Sequence, residues 1–385
     1  MKVLFLDFTT SLGGVQAVLL HLLNHLNKAF SITYIDAYDS EMTEILRRRQ
    51  IQVRKASIWP KVKAIGWHRP SRRILALFLL GPSYFFYILR LVKIFREYDC
   101  VFISQKKSLV IAQLSNLLAR RSIVFHAHGF HSADQITSIY KWAIQRADKI
   151  IAVSEDVKRK MIASGIDKTK IQVIYNGIDL TGIDQAEVVS PPQMRCDTFN
   201  IFIGCSIQPI KGVHLLVEAV HELRQQGRKV NLFIAGSTPH GGDESYLENM
   251  KKYVRKHGLE QEIHFLGWQS DLISIMKTMD VVVLPSLVDE SFGLIIAEAM
   301  AVHKPVIASN VGGLKELIIH EENGFLVEQG NKNEIVESLG KLMDKQELCE
   351  EFGGNGRRRI VENFQIERQV QQVRELLSSL HRRTG

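Results

Sequence analysis

The feature that most constrains this chain is an alternation: short apolar runs rich in valine and isoleucine recur from end to end, each followed by sequence of helical period. Strands buried on both faces of a parallel sheet read as near-continuous apolar runs, and parallel neighbours need crossovers, usually helices. The alternation therefore implies an α/β protein. Strands are expected at 3–8, 31–37, 100–104, 123–128 and 149–154, and again at 199–205, 230–235, 263–266, 281–284, 305–309 and 324–327. Between the two series, the polar stretch through Ser190-Pro191-Pro192 to Thr198 carries neither period and marks a boundary.

At 385 residues the chain exceeds what one ordinary core supports, so two doubly wound domains are expected, over 1–190 and 191–365. Over 366–385 a helix places Ile366, Val370, Val373, Leu377 and Leu380 on one face, which must pack on a partner surface, the first domain being the candidate. Open α/β sheets bind ligands beyond the carboxyl ends of their strands. Two such domains leave a cleft there, and the chemistry should lie in strand-to-helix loops.

Composition narrows the classes further. Hydrophobic content of 45% and charged content of 23% are those of a globular chain, which excludes disorder. The opening run Met1 to Phe8 ends within one strand length and lacks a small-residue cleavage site, so it reads as a buried strand. Cys100, Cys196, Cys205 and Cys349 are too scattered for a zinc site or a disulfide scaffold, which points to a reducing cytoplasm.

Net charge is +8, and basic residues crowd between Arg47 and Arg73. The apolar, aromatic run over 74–95 follows; Gly81-Pro82 interrupts it, and Arg90 and Lys93 fall inside it, which argues against a membrane span. Two readings stay open, a helix pair at an anionic membrane surface or a solvated loop followed by core helices. Nucleic acid is not an expected partner, because no stacking motif accompanies the charge.

The strongest chemical signal is Glu290-Ser291-Phe292-Gly293-Leu294 with Glu298, between an apolar strand and a helix. Amides at a helix start favour anions, and glycine admits a phosphate close to the backbone, so Ser291, Phe292, Gly293 and Leu294 form a candidate diphosphate seat. Eight helical residues would separate the two carboxylates by roughly 12 Å, which suits two ends of one ligand better than a hydrolytic pair about 5–9.5 Å apart. The competing reading makes Glu290 a helix cap and Glu298 a solvated residue; the apolar neighbours of Glu298 speak against it.

Three further loops carry candidates. Ser206-Ile207-Gln208-Pro209-Ile210-Lys211-Gly212 sets a lysine after a strand, where its ammonium can neutralise a diphosphate leaving group. Ser11-Leu12-Gly13-Gly14-Val15 offers glycine amides but lacks Gly-x-Gly-x-x-Gly, which disfavours a dinucleotide oxidoreductase. His126 and His128 alternate onto one face at a strand end; no third ligand for zinc is evident nearby. Asn176-Gly177 and Ser154 read as mainly structural, with Ser154 also a candidate for lining the cleft, and Trp268 on its own residue type suits a core position.

The block from Pro285-Ser286 through Glu290-Ser291-Phe292-Gly293, Glu298-Ala299-Met300 and Lys304-Pro305-Val306 to Gly312-Gly313 closely resembles glycosyltransferase family 4, of the GT-B fold, and the likeness covers nearly the full chain. The resemblance implies a retaining transferase that needs no metal or other cofactor. It assigns Glu290 to the donor sugar, Glu298 to the ribose, the amides of 292–294 to the phosphates, Trp268 to the base and His128 to a place beside the sugar. Lys211 commonly has an arginine partner in the family where this chain has Ser206, which opens a rival reading as a non-catalytic GT-B subunit supporting another enzyme. The implied partners are a nucleotide sugar, UDP-linked in preference to GDP-mannose, and a glycan or lipid-linked acceptor for bacterial surface polysaccharide.

Overall fold

The structure, a computed structural model, describes residues 1–8, 13–36, 40–56, 70–129, 137–239 and 242–381, with the side chains of 70–82 and 381 outside the description. The chain divides into two compact units, Met1–Tyr175 with Glu367–Gly385, and Asn176–Ile366.

The first unit runs β1 (Lys2–Asp7), α1 (Gly14–Leu26), β2 (Ser31–Asp36), α2 (Glu41–Arg48), β3 (Gln52–Lys55), α3 (Pro70–Phe95), β4 (Cys100–Ile103), α4 (Lys106–Ala119), β5 (Ser122–Ala127), α5 (Ser138–Gln145), β6 (Lys149–Ala152), α6 (Glu155–Ala163) and β7 (Ile171–Val173). Its seven strands lie in the order β3-β2-β1-β4-β5-β6-β7, every pair parallel. The central strands are the apolar runs of the sequence, with Val3, Leu4, Val101, Ile123 and Val124 fully buried.

Two strands escape the sequence reading. β3 sits at the sheet edge, and its Gln52, Arg54 and Lys55 give it the look of a basic loop. β7, at the other edge, is only three residues long. The apolar run over 74–95 is one helix and not a pair: α3 continues through Gly81-Pro82. A proline removes one backbone donor but need not end a helix whose turns persist on both sides. Buried Tyr87, Leu91, Val92, Ile94 and Phe95 anchor its C-terminal half. Among the described residues no helix is long and apolar enough to cross a membrane.

The second unit runs α7 (Leu180–Gln185), β8 (Phe199–Gly204), α8 (Val213–Gln225), β9 (Val230–Ala235), α9 (Glu244–Lys256), β10 (Ile263–Gly267), α10 (Leu272–Met276), β11 (Val281–Leu284), α11 (Leu294–Ala301), β12 (Val306–Ser309), α12 (Leu314–Leu317), β13 (Phe325–Val327), α13 (Lys332–Asp344) and α14 (Gln346–Asn363). Its six parallel strands take the order β10-β9-β8-β11-β12-β13. In each sheet the order reverses once, between β1 and β4 and between β8 and β11. These are topological switch points, the positions at which open α/β sheets bind ligands.

The boundary falls after Tyr175, earlier than the polar stretch near 190 suggests. Local bonds explain why. Ile178 bridges Gln365, Val189 N donates to Ser274 O at 3.2 Å, and Arg357 pairs with Asp184 in α7 at 2.7 Å. Residues 176–190 thus follow the second core, despite having no period of their own. The chain ends in α15 (Ile366–His381), whose Val370, Val373, Leu377 and Leu380 are buried.

A Cβ on Gly177 would lie 2.4 Å from Ile366 Cα. Gly177→Ala is expected to cost about 1–3 kcal/mol by overpacking backbone that cannot retreat. Gly340→Ala, in α13 with no atom within 4 Å of the added methyl, is expected to stabilise by about 0.5–1 kcal/mol. Urea midpoints of the two variants should move in opposite directions.

Candidate active site

The loops that leave β8 and β11 meet at the switch point of the second sheet, and each delivers one charged side chain. After β8, Ile207 is buried and its N–H donates to Ser237 O at 3.0 Å, which pins the loop before a short 3₁₀ turn over Pro209–Lys211. Gly212 then takes φ +67°, where a Cβ would stand 2.0 Å from Pro285 O. Only glycine lets the two loops approach this closely. Leu287 N completes the tie by donating to Ile210 O at 2.7 Å.

Lys211 Nζ consequently reaches Glu290 Oε1 at 2.5 Å, with both side chains mostly sheltered from solvent. The same oxygen accepts from Ser286 Oγ, a fully buried hydroxyl. Charge-assisted bonds of this kind are short and orienting. Ser286 was not assigned a role from the sequence, although Pro285-Ser286 opens the family-like block; its local signal is a small polar residue at the end of an apolar strand. Burial pushes the nearby Cys205 thiol up to about 12, which disfavours the thiolate.

The segment from Glu290 onward rests on backbone. Gly313 N donates to Glu290 O at 2.7 Å, and a Cβ at Gly312 would lie 2.2 Å from that carbonyl. Phe292 turns its ring into the core against Phe364, 5.8 Å between centroids, so only its main chain faces outward chemistry. Gly293 caps α11 at φ +94°, and a Cβ there would meet Leu314 Cδ2 at 2.3 Å.

Two sequence readings change as a result. Helix begins only at Leu294, so the path from Glu290 to Glu298 is not eight helical residues and the 12 Å rise does not apply. Nor does Glu290 cap the helix, since Gly293 holds that position. Glu298, on α11, keeps a little surface, but burial pushes its carboxyl up to about 7.

Ser206 Oγ accepts from Gln208 Nε2 at 2.9 Å, so the hydroxyl is held by its own loop. Trp268, next after β10 and Gly267 at φ +70°, is 64% exposed, which excludes the core reading. A large ring left open at the carboxyl edge of a sheet has a face free for stacking.

In the first unit, Gly13 is the N-cap of α1 and Gly14 its first residue. No atom lies within 4 Å of a Cβ on Gly14, so sterics alone do not demand glycine there. Ser11 and Leu12 lie outside the described residues. His128 Nε2 stands 3.0 Å from Nδ1 of the fully buried His126. Burial pushes His128 down to about 3 and His126 well below its ordinary range, so both rings are neutral at physiological pH. Asp7, at the end of β1, is raised to about 6 by burial. It had seemed simply part of an apolar strand. Ser154 proves to cap α6, its Oγ accepting from Val157 N at 3.2 Å. Among the described residues no cluster of three or more His, Cys, Asp or Glu is arranged to hold a metal ion.

Two all-parallel sheets of matching strand order, the second with a lysine–glutamate pair and a glycine-headed helix at its switch point, are the architecture of GT-B glycosyltransferases. The solved structure of Anabaena Alr3699/HepE in complex with UDP-glucose superposes with a TM-score of 0.83 at 25% identity, over 98% of this chain and 100% of that one. The model for glycosyl transferases group 1 matches residues 198–359, and that for Glycosyltransferase Family 4 matches residues 12–181. The chain belongs to glycosyltransferase family 4. Among curated relatives, the capsular polysaccharide biosynthesis glycosyltransferase CapM of Staphylococcus aureus is 34% identical over 58% of this chain, which spans only 60% of CapM. The UDP-Gal:α-D-GlcNAc-diphosphoundecaprenol α-1,3-galactosyltransferase of Escherichia coli is 25% identical over 98% of this chain and 96% of its own length.

The raised carboxyl of Glu298 has a signed consequence. Its ordinary value is 4.5 and its folded value about 7, so between these the native state binds more protons than the unfolded one. Stability is therefore expected to fall as pH rises through this window and to level off above it. Thermal denaturation without nucleotide should show Glu298→Gln losing that part of the slope; an unchanged slope would mean that the carboxyl is not held protonated.

Proposed function

We propose that this protein is a retaining glycosyltransferase that moves a hexose or N-acetylhexosamine from a nucleoside diphosphate sugar to a glycan or lipid-linked glycan acceptor, in the assembly of bacterial surface polysaccharide. The observation that carries the reading is the Lys211–Glu290 pair, at a switch point and beside the amides that open α11. In the free protein each charge satisfies the other. When a donor binds, its diphosphate becomes the partner of Lys211, and Glu290 is released to accept hydroxyls of the sugar.

Lys211 and the amides of Gly293 and Leu294 then stabilise the charge that grows on the diphosphate as the glycosidic bond breaks. Glu298 accepts from the ribose, Trp268 lies along the base, and the neutral His128 offers a hydrogen bond to the sugar. The acceptor attacks the face the diphosphate leaves, and the leaving phosphate takes the acceptor proton. No metal is assigned a role. UDP is preferred as the base, supported by the UDP-glucose bound to HepE and the UDP-Gal named for the Escherichia coli relative. GDP-mannose is the other donor to assay.

Ser206 motivates a second reading, a non-catalytic GT-B subunit, because it stands where family members commonly add an arginine. Diphosphate release from a panel of nucleotide sugars, with lipid-linked glycans as acceptors and a chelator present, separates the two. Lys211→Ala is expected to lower turnover by about 10²–10³-fold, the usual loss for one oxyanion-stabilising group. Glu290→Ala should abolish transfer without loss of fold. Undiminished transfer in either would remove its assigned role, and no release by the unaltered chain would leave the second reading.

A membrane-facing acceptor is supported by α3, where Phe85, Phe86 and Leu89 are exposed on the same segment as Arg90 and Lys93. Aromatic and basic side chains together suit the interface of an anionic bilayer, which supports a reading in which the protein works at the cytoplasmic face of the cell membrane. Flotation with anionic vesicles at low salt should carry the chain upward, and Phe85→Ser with Phe86→Ser should leave it at the bottom. Failure of the unaltered chain to float would remove the membrane from the reading.

A further inference from the structure

The first sheet also has an amino edge, where β4, β5 and β6 begin. There a cavity of about 560 Å³ is lined by Gln113, Arg120, Arg121, Arg146, Asp99 and Asp148 among others. Its size is that of a site for a small metabolite. The strand-to-helix loops that serve the transferase reading leave the opposite edge of the same sheet.

The lining is built to present donors. α4 ends with Arg120 at φ +54°, its N–H donating to Asn116 O at 3.0 Å. The Asn116 side chain then clasps the next residue twice, donating to Arg121 O at 2.8 Å and accepting from Arg121 N at 2.7 Å. This turn holds two guanidinium groups in succession at the cavity, and Arg146 arrives from the end of α5, stacked over Trp142. The two carboxylates are already engaged by main chain: Asp99 accepts from Lys2 N at 2.7 Å and Asp148 from Ile123 N at 2.8 Å.

Two donors remain over. Gln113 is 2% exposed, and its Nε2 has no acceptor within reach among the described residues. Arg121 Nε is in the same condition, although its Nη2 donates to Arg96 O at 2.8 Å. A buried donor without an acceptor is costly; both atoms are closed to solvent, so an occupant's oxygen meets them only after a shift of these lining side chains. Guanidinium forks and an amide N–H together match the oxygens of a phosphate group.

We propose that this cavity binds the phosphate group of a small phosphorylated molecule, as a site separate from the one that holds the nucleotide sugar. The site does not rest on the transferase reading. Its occupant would stabilise the first unit by mass action.

The test uses the full chain and inorganic phosphate, with sodium chloride at equal ionic strength as the control. To keep phosphate at a donor seat from mimicking the effect, it is run in the unaltered chain and in Lys211→Ala. Phosphate is expected to raise the melting temperature saturably in both. The rise should vanish in Gln113→Leu and in the double variant Arg120→Gln/Arg146→Gln. A rise retained in both cavity variants, lost in Lys211→Ala, or matched by chloride would overturn the proposal. Should the cavity variants not fold, phenylglyoxal modification of the unaltered chain decides: phosphate must protect Arg120, and equal labelling with and without it would sink the idea.

Discussion

Parallel pairing is the constraint from which the rest follows. A strand in a parallel sheet is covered on both faces by crossover helices, so it must be apolar along its length and has no solvent-facing side on which to carry chemistry. Every polar group with work to do is pushed to the strand ends. In the second unit this concentrates Lys211, Ser286, Glu290 and the opening of α11 at one reversal of strand order, and no residue in mid-strand takes part.

The two edges of such a sheet are chemically unlike. At the carboxyl edge of the second sheet, the loops are glycine-bearing and end on the main-chain amides that open α11. At the amino edge of the first sheet, helices arrive with their carboxyl ends, and cationic side chains are the natural complement. Arg120, Arg121 and Arg146 fit that pattern, since each lies at or just past a helix end. The fold's own polarity thus favours anions at the carboxyl edge, through amides, whereas at the amino edge the attraction for an anion comes from the guanidinium groups alone and works against the helix ends.

Much of this was legible in the sequence because burial writes itself as composition: the eleven apolar runs around Val3, Ile32, Val101, Ile123, Ile150, Ile201, Leu232, Ile263, Val282, Ile307 and Phe325 are all strands, β10 and β13 at the edges of the second sheet included. At the edges of the first sheet the signal fails, because β3 is hidden among lysines and arginines and β7 is too short to show. The pairing of Lys211 with Glu290, 79 positions apart, had no local signal at all. The helical rise expected between Glu290 and Glu298 failed for a related reason. Glu290 looks like an N-terminal carboxylate, but Gly312 and Gly313 from a distant loop fix its backbone in a non-helical path that no local propensity reveals. For Trp268 the sequence left a core place and a contact with the base both open, and tertiary structure decides against the core by leaving the ring exposed.

The segment that starts the second unit is hydrogen-bonded to the one that ends it: Ile178 N donates to Phe364 O at 2.7 Å, and Ile366 N donates to Ile178 O at 3.1 Å. The second unit is thereby a closed insert in the first, which regains the chain only at Glu367. On the ribosome, where domains tend to fold as they emerge, the first unit has to wait for a helix made almost two hundred residues after its last strand. The insert can complete itself sooner. Synthesis would then finish the later-encoded unit before the earlier one, with α15 as the last piece to be set in place.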